Sequence, residues 1–282
     1  MKHLCPSRPA RGFTLVEMMV ALALGMLIIL AALRLLLDAR ATYADVDDAA
    51  RVHETGRMAL AHLGVMLRQA GHEETAGNSR RKPPSPSFAL RGLDSPPPHA
   101  MPAPDQGHFG QHGHPGARGG DLLMLSVRGA PTASALVNCM GAAVSPDQPE
   151  WMFYAIREPN SKTSELHCHY RDSNGTWRRQ ALVEGVETMQ IAYGVDTDTD
   201  GATDRWLAAS AMREQDWRHV RLARVALVVR GAASGVTRDP PQTFELLGQP
   251  QLAPPHVSPA DGRRTRAAFQ TTVFLRNVAS VP

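Results

Sequence analysis

The sequence predicts an α+β protein: a long N-terminal helix, membrane-spanning in its first half, packed on an antiparallel β-sheet head. Three observations carry that expectation. From Phe13 to Leu33 only Thr14 and Glu17 are polar. No proline occurs between Phe13 and Lys82, and the helix formers Ala, Leu, Met, Arg and Glu dominate there. Beyond Gly120 the pattern changes to short β-type runs separated by turn residues.

The apolar stretch 13–33 makes a helix about 30 Å long, enough to cross a bilayer. Lys2, Arg8 and Arg11 precede it, whereas Arg34 at its far end is followed by Asp38, Asp45, Asp47 and Asp48. The positive-inside rule therefore keeps the N-terminus cytoplasmic in the inner membrane and sends the rest to the periplasm. A secretory signal places its cleavage site after the apolar region. Here the cleavage candidate, Gly12, comes before it, so residues 1–12 form a removable leader and the helix is retained. Glu17 is costly in such a span, and two readings stand: a carboxylate that snorkels to the headgroups, or one with an assembly role.

After the span the helix turns polar on one side, while Leu60, Leu63, Leu67 and Ala70 recur at helical spacing and should pack on the head. Gly71, after Arg68 and Gln69, reads as a C-cap, giving a helix over 13–71. Gly25 is a weak point within the membrane half, at about 1 kcal/mol. Residues 72–120 read as a Pro/Gly/His-rich loop, with "RRKPPSPS", "DSPPPHAMPAP" and "GQHGHPGARGG". His108, His112 and His114 cluster there, but no carboxylate or cysteine fixes a metal geometry, and a solvated loop is the better reading.

The β-rich head spans 121–282. Its candidate strands are 121–129, 134–141, 151–158, 165–172, 176–185, 187–196, 222–231 and 267–277, with Pro-rich loops at 239–241 and 250–259. Short connections without intervening helices favour antiparallel pairing.

With 282 residues, 5% aromatics, 23 glycines and 22 prolines, the chain fits a loop-rich β protein better than a compact helical enzyme. The net charge of +3 resides in Lys2, Arg8 and Arg11, so the chain without its leader is formally neutral. No basic stripe remains for nucleic acid. Cys5 lies in the leader, which leaves Cys139 and Cys168 as a pair in an oxidising compartment, where a disulfide is expected. His167 and His169 flank Cys168 on a strand, so their side chains point away from it and a Cys/His catalytic pair is not expected.

"DTDTDGATD" puts Asp196, Asp198, Asp200, Gly201 and Asp204 at positions 1, 3, 5, 6 and 9 of a calcium loop. Position 12 is Leu207 where a bidentate glutamate would stand, so a solvated turn competes with a weak calcium site. There is no Gly-x-Ser-x-Gly elbow, phosphate loop, His-Glu-x-x-His or dinucleotide fingerprint. No catalytic residue is assigned and no cofactor is required. A membrane-anchored periplasmic enzyme and a calcium-dependent binding module stand as alternatives from other classes.

Gly12-Phe13-Thr14-Leu15-Val16-Glu17 resembles the class III signal of type IV prepilins and pseudopilins. The resemblance implies that a prepilin peptidase cuts after Gly12 and methylates Phe13, and that Glu17 pairs with a neighbouring subunit's terminal amine during assembly. Further along, "ARVHETGRMALAHLGVMLRQAGH", "NCMG", "LHC", "LVEGVETMQIAYGVDTDTDGATDRW" and "RTRAAFQTTVFLRN" resemble successive blocks of PilW-type minor pilins. That implies a pilin-like fold and a role in initiating type IV pili, in a tip complex with other minor pilins and the major pilin, joined in some systems by an adhesin. One departure is Val65-Met66, where the family's helix usually carries an acidic residue. A minor pseudopilin of a type II secretion system is the rival within the same class.

Overall fold

The structure is a computed structural model that describes residues 12–72, 89–97, 102, 110–112, 120–129, 136–160, 163–232, 243–252 and 264–277. The leader residues Lys2, Cys5, Arg8 and Arg11, and His108 and His114, lie outside the described residues. The chain divides into two compact units, Met1–Asp47 and Asp48–Pro282.

In the first unit the described residues are almost wholly helical. Helix α1 (Leu15–Gln69) begins there, and its apolar side chains from Leu15 to Leu37 are largely exposed. The described chain has one helix long and apolar enough to cross a membrane.

The second unit holds the last turns of α1 and every described strand. Val52, Gly56, Ala59, Leu63, Leu67 and Ala70 lie on one helix face and are buried. The expected stripe is thus the packed face, with Leu60 half-buried at its edge. Gly56 belongs to it because the ring of Phe269 occupies the place of a side chain there. The helix ends at Gln69, two residues short of the expected 71, and Gly71 beyond it has a left-handed φ of 73° and donates its N–H to the Ser126 carbonyl at 2.8 Å. Asn277 closes the end by donating to the carbonyls of Arg68 and Ala70, at 3.0 and 3.3 Å.

The strands are β1 (Leu90–Leu93), β2 (Leu122–Val127), β3 (Glu150–Asn160), β4 (Thr163–Arg171), β5 (Trp177–Glu184), β6 (Val186–Val195), β7 (Arg205–Leu207), β8 (Val220–Arg230), β9 (Thr243–Leu246), β10 (Gln249–Leu252) and β11 (Arg266–Phe274). They build a five-stranded sheet ordered β1-β2-β3-β4-β5, a four-stranded sheet ordered β11-β8-β6-β7 and a β9–β10 hairpin, all paired antiparallel. The α+β expectation is borne out.

The details correct the sequence reading in three places. The head does not begin at 121: β1 lies inside the stretch read as loop and pairs with β2 through Leu90↔Leu125 and Leu93↔Leu122. Its four residues are too few to show a period. Of the run 134–141, the described residues 136–141 form no strand: among them only Val137 bridges, to Ala143, and Asn138 Oδ1 accepts the N–H groups of Met140 and Ala142 to make a turn. The Pro-rich stretch beginning at 250 contributes β10, joined to β9 by a turn at Leu247 and Gly248, both with positive φ as a tight hairpin requires.

Charge also enters the interior. Glu187 accepts two hydrogen bonds from Arg266, at 2.8 and 3.0 Å, and Arg230 lies 3.6 Å from the same carboxylate, tying β6, β8 and β11 together.

Candidate functional site

The N-terminal signal is the first candidate site. Phe13 is exposed, and Thr14 is the residue before α1. Glu17 Oε2 accepts hydrogen bonds from the Thr14 N–H at 3.0 Å and the Thr14 hydroxyl at 3.1 Å, while Thr14 Oγ1 accepts the Glu17 N–H at 3.3 Å. This is a capping box, in which Ser/Thr before the helix and Glu in its first turn satisfy each other's orphan amides. Glu17 also places a negative charge at the positive end of the helix dipole. Its carboxylate therefore has a local partner before any neighbouring subunit arrives. Sequence reasoning missed this, although the T-x-x-E spacing was in view.

The loop 196–204 joins β6 to β7 as a hairpin connection rather than linking two helices. Carboxylate oxygens of Asp196, Asp198 and Asp204 lie within 4.8 Å of one another; Asp200 is not part of that group. Asp196 is fully buried and already engaged: Oδ1 accepts the Thr199 N–H at 2.7 Å, and Oδ2 accepts Gly201 N–H at 3.0 Å and Arg221 Nε at 3.2 Å. Burial pushes its carboxyl up, but Arg221 and those two amides outweigh burial and hold it below the ordinary range. Asp204 takes the hydroxyl and N–H of Thr197, at 2.6 and 2.7 Å, which lower its pKa. A dication here would face the Arg221 guanidinium and compete with bonds that already shape the turn. Leu207, at the place of the bidentate ligand, ends β7.

The expected disulfide joins Cys139 to Cys168 of β4, both buried. Cys168 lies in the main core, while the neighbouring His167 and His169 alternate onto the opposite face of the strand. His167 Nε2 meets Glu165 at 2.8 Å. Burial, ahead of Arg157, Arg179 and His167, pushes His169 down to about 4, so its imidazole is neutral at physiological pH. His112 Nδ1 accepts the Asp94 N–H at 3.1 Å.

A groove of about 690 Å³ runs between α1 and β11. In its lining Glu54 is paired with Arg57, His53 stands edge-on to Phe269, and Arg68 adds a further cation. It presents no nucleophile held by a base.

An apolar helix opened by Gly-Phe-Thr-Leu-Val-Glu, with a β head behind it, defines the class as a type IV pilin-like protein. Residues 7–33 match the prokaryotic N-terminal methylation motif, and residues 153–277 match the family model of type IV pilus-assembly protein W. The resemblance read from the sequence is thereby borne out: behind a prepilin-type signal at 7–33, residues 153–277 of the head are similar to type IV pilus-assembly protein W. A type IV-like pilin from Thermus thermophilus is a similar solved structure, at 13% identity and a TM-score of 0.41, covering 81% of this chain and 99% of that one. No curated protein matches.

Proposed function

We propose that this chain is a minor pilin that primes the assembly of type IV pili. The observation that carries the reading is the joint presence, in one chain, of the methylation motif and the PilW match. Lys2, Arg8 and Arg11 hold the leader in the cytoplasm and the head enters the periplasm. Prepilin peptidase then cuts between Gly12 and Phe13 and methylates Phe13. Glu17 meets the terminal amine of a neighbour, and the subunit enters the filament or its tip beside other minor pilins and the major pilin, joined in some systems by an adhesin. Its work is assembly through protein contacts, with no catalytic step and no cofactor required. Calcium at Asp196, Asp198 and Asp204 is not part of this reading, since Arg221 already supplies the countercharge.

A strain lacking the gene tests the proposal. Surface pili should fall sharply in number and return when the gene is restored. Normal piliation in the deletion strain would overturn it, and normal piliation with a loss of type II secretion would assign the chain to the pseudopilins instead.

A further inference from the structure

The two sheets of the head meet at a cluster of acidic and phenolic groups that no step of assembly uses. Gly120 and Asp121, just before β2, run beside Met189 of β6, and the Asp121 N–H donates to the Met189 carbonyl at 2.7 Å. Gly120 is required there because its φ of 77° is left-handed and a Cβ would collide with the Met189 backbone. The Asp121 side chain then spans the seam. Its Oδ2 accepts the Ile191 N–H of β6 at 2.8 Å, and its Oδ1 accepts the Ser95 N–H beyond β1 at 3.3 Å. Ser95 itself sits at a φ of 42°, a conformation that a non-glycine residue keeps only when its surroundings hold it.

Beside Asp121 stands a second carboxylate. Asp94 accepts the N–H groups of Ala209 and Ser210 at 3.0 and 2.7 Å, which fastens the end of β1 to the one-turn 3-10 helix Ala209–Ala211. From β6, Tyr193 is fully buried, stands edge-on to Trp217, and its hydroxyl has no hydrogen-bond partner among the described residues. The groups facing Asp121 are therefore Asp94 from the end of β1 and Tyr193 from β6. Arg91 is committed to Glu214 at 2.7 Å, and His112 lies on the Asp94 amide.

We propose that Asp94 and Asp121 form a protonation-controlled seam between the two sheets, closed while Asp121 holds a proton and loosened when it ionises. Asp121 is buried and lacks the water that would stabilise its charge, and the half-buried Asp94 beside it opposes that charge further. Burial, with Asp94 adding to it, pushes the Asp121 carboxyl up to about 7 against the pull of the Ile191 and Ser95 amides. A carboxyl raised in the closed form retains a proton that the open form releases. The closed form is thus fully favoured below the ordinary carboxylate range and loses stability as pH rises to about 7, after which the effect levels off. The segment expected to open is Leu90 to Ser95, whose C-terminal end Asp94 and Asp121 tie across the seam, alongside the Arg91–Glu214 pair.

Amide hydrogen exchange of the full chain in detergent micelles, corrected for the intrinsic pH dependence of exchange, tests this. A local readout is needed because the lowered pKa values of His167 and His169 make global stability rise with pH over part of the same window. In the wild type the opening of residues 90–95 should increase by about tenfold per pH unit from pH 5 toward 7 and then plateau. Asp121→Asn should abolish that slope. Asp94→Asn, which keeps Asp121 but removes its like-charged neighbour, should move the plateau to lower pH, and this arm decides the matter if the first variant fails to fold. A flat wild-type profile, an unchanged slope in Asp121→Asn or an unmoved plateau in Asp94→Asn would each overturn the proposal.

Discussion

Glu17→Gln is expected to leave the protein in the membrane at wild-type level and remove it from the filament. The structure makes this variant more informative than alanine. Glutamine can still reach back to the Thr14 amide, so the capping box survives and only the charge is lost. Alanine would also remove the cap, at a cost of about 1 kcal/mol, and mix helix fraying with any assembly defect. If Glu17 meets a neighbour's amine away from water, losing that partner leaves an ammonium unpaired in a low-dielectric environment. Such a loss costs about 3 kcal/mol, or roughly a hundredfold in the incorporated population. The measurement is immunodetection in sheared and membrane fractions. Incorporation of Glu17→Gln at the wild-type level would reduce Glu17 to a helix cap.

The second large effect is expected from the disulfide. Cys139 and Cys168 are 29 residues apart, and closing a loop of that length restricts the unfolded chain by about 3–4 kcal/mol in the chain-entropy treatment. That is a large fraction of the stability of an ordinary domain, about 5–15 kcal/mol. The bridge ties the connection before β3 to β4, where no described strand holds Cys139 in a sheet. The double variant Cys139→Ala/Cys168→Ala should therefore unfold at clearly lower denaturant than the wild type, and reductant should lower the wild-type midpoint similarly. A midpoint insensitive to both changes would show that packing alone holds the two segments.

How far the sequence speaks differs between the two ends of the chain. The helix was legible because its signals repeat: the packed face returns through Leu63, Leu67 and Ala70, and Gly71 marks the stop. The longer strands announced themselves by alternation. Strand β1 did not, since four residues beside proline-rich flanks show no period, and its existence depends on a partner about thirty positions away. The β9–β10 turn was hidden because Leu247 adopts a conformation that few residues other than glycine, asparagine or aspartate take.

At the candidate site, Gly12, Phe13 and Glu17 were visible as a motif, but the partnership of Glu17 with Thr14 was not. A local hydrogen-bonded cap was overlooked because a membrane charge invites a search for distant partners. The carboxylates of the 196–204 loop were visible too. Arg221, which lies 25 positions beyond Asp196 and changes what that loop can hold, emerged only from the fold. The Asp94–Asp121 pair was illegible for the same reason, being assembled from two ends of different strands.

The proposed role requires that this chain is processed at Gly12 and leaves the membrane in a filament. Intact-mass measurement of the protein recovered from sheared surface pili tests this directly. The expected species begins at an N-methylated Phe13 and retains the Cys139–Cys168 bridge. Recovery only from the membrane fraction, with residues 1–12 still attached, would contradict it.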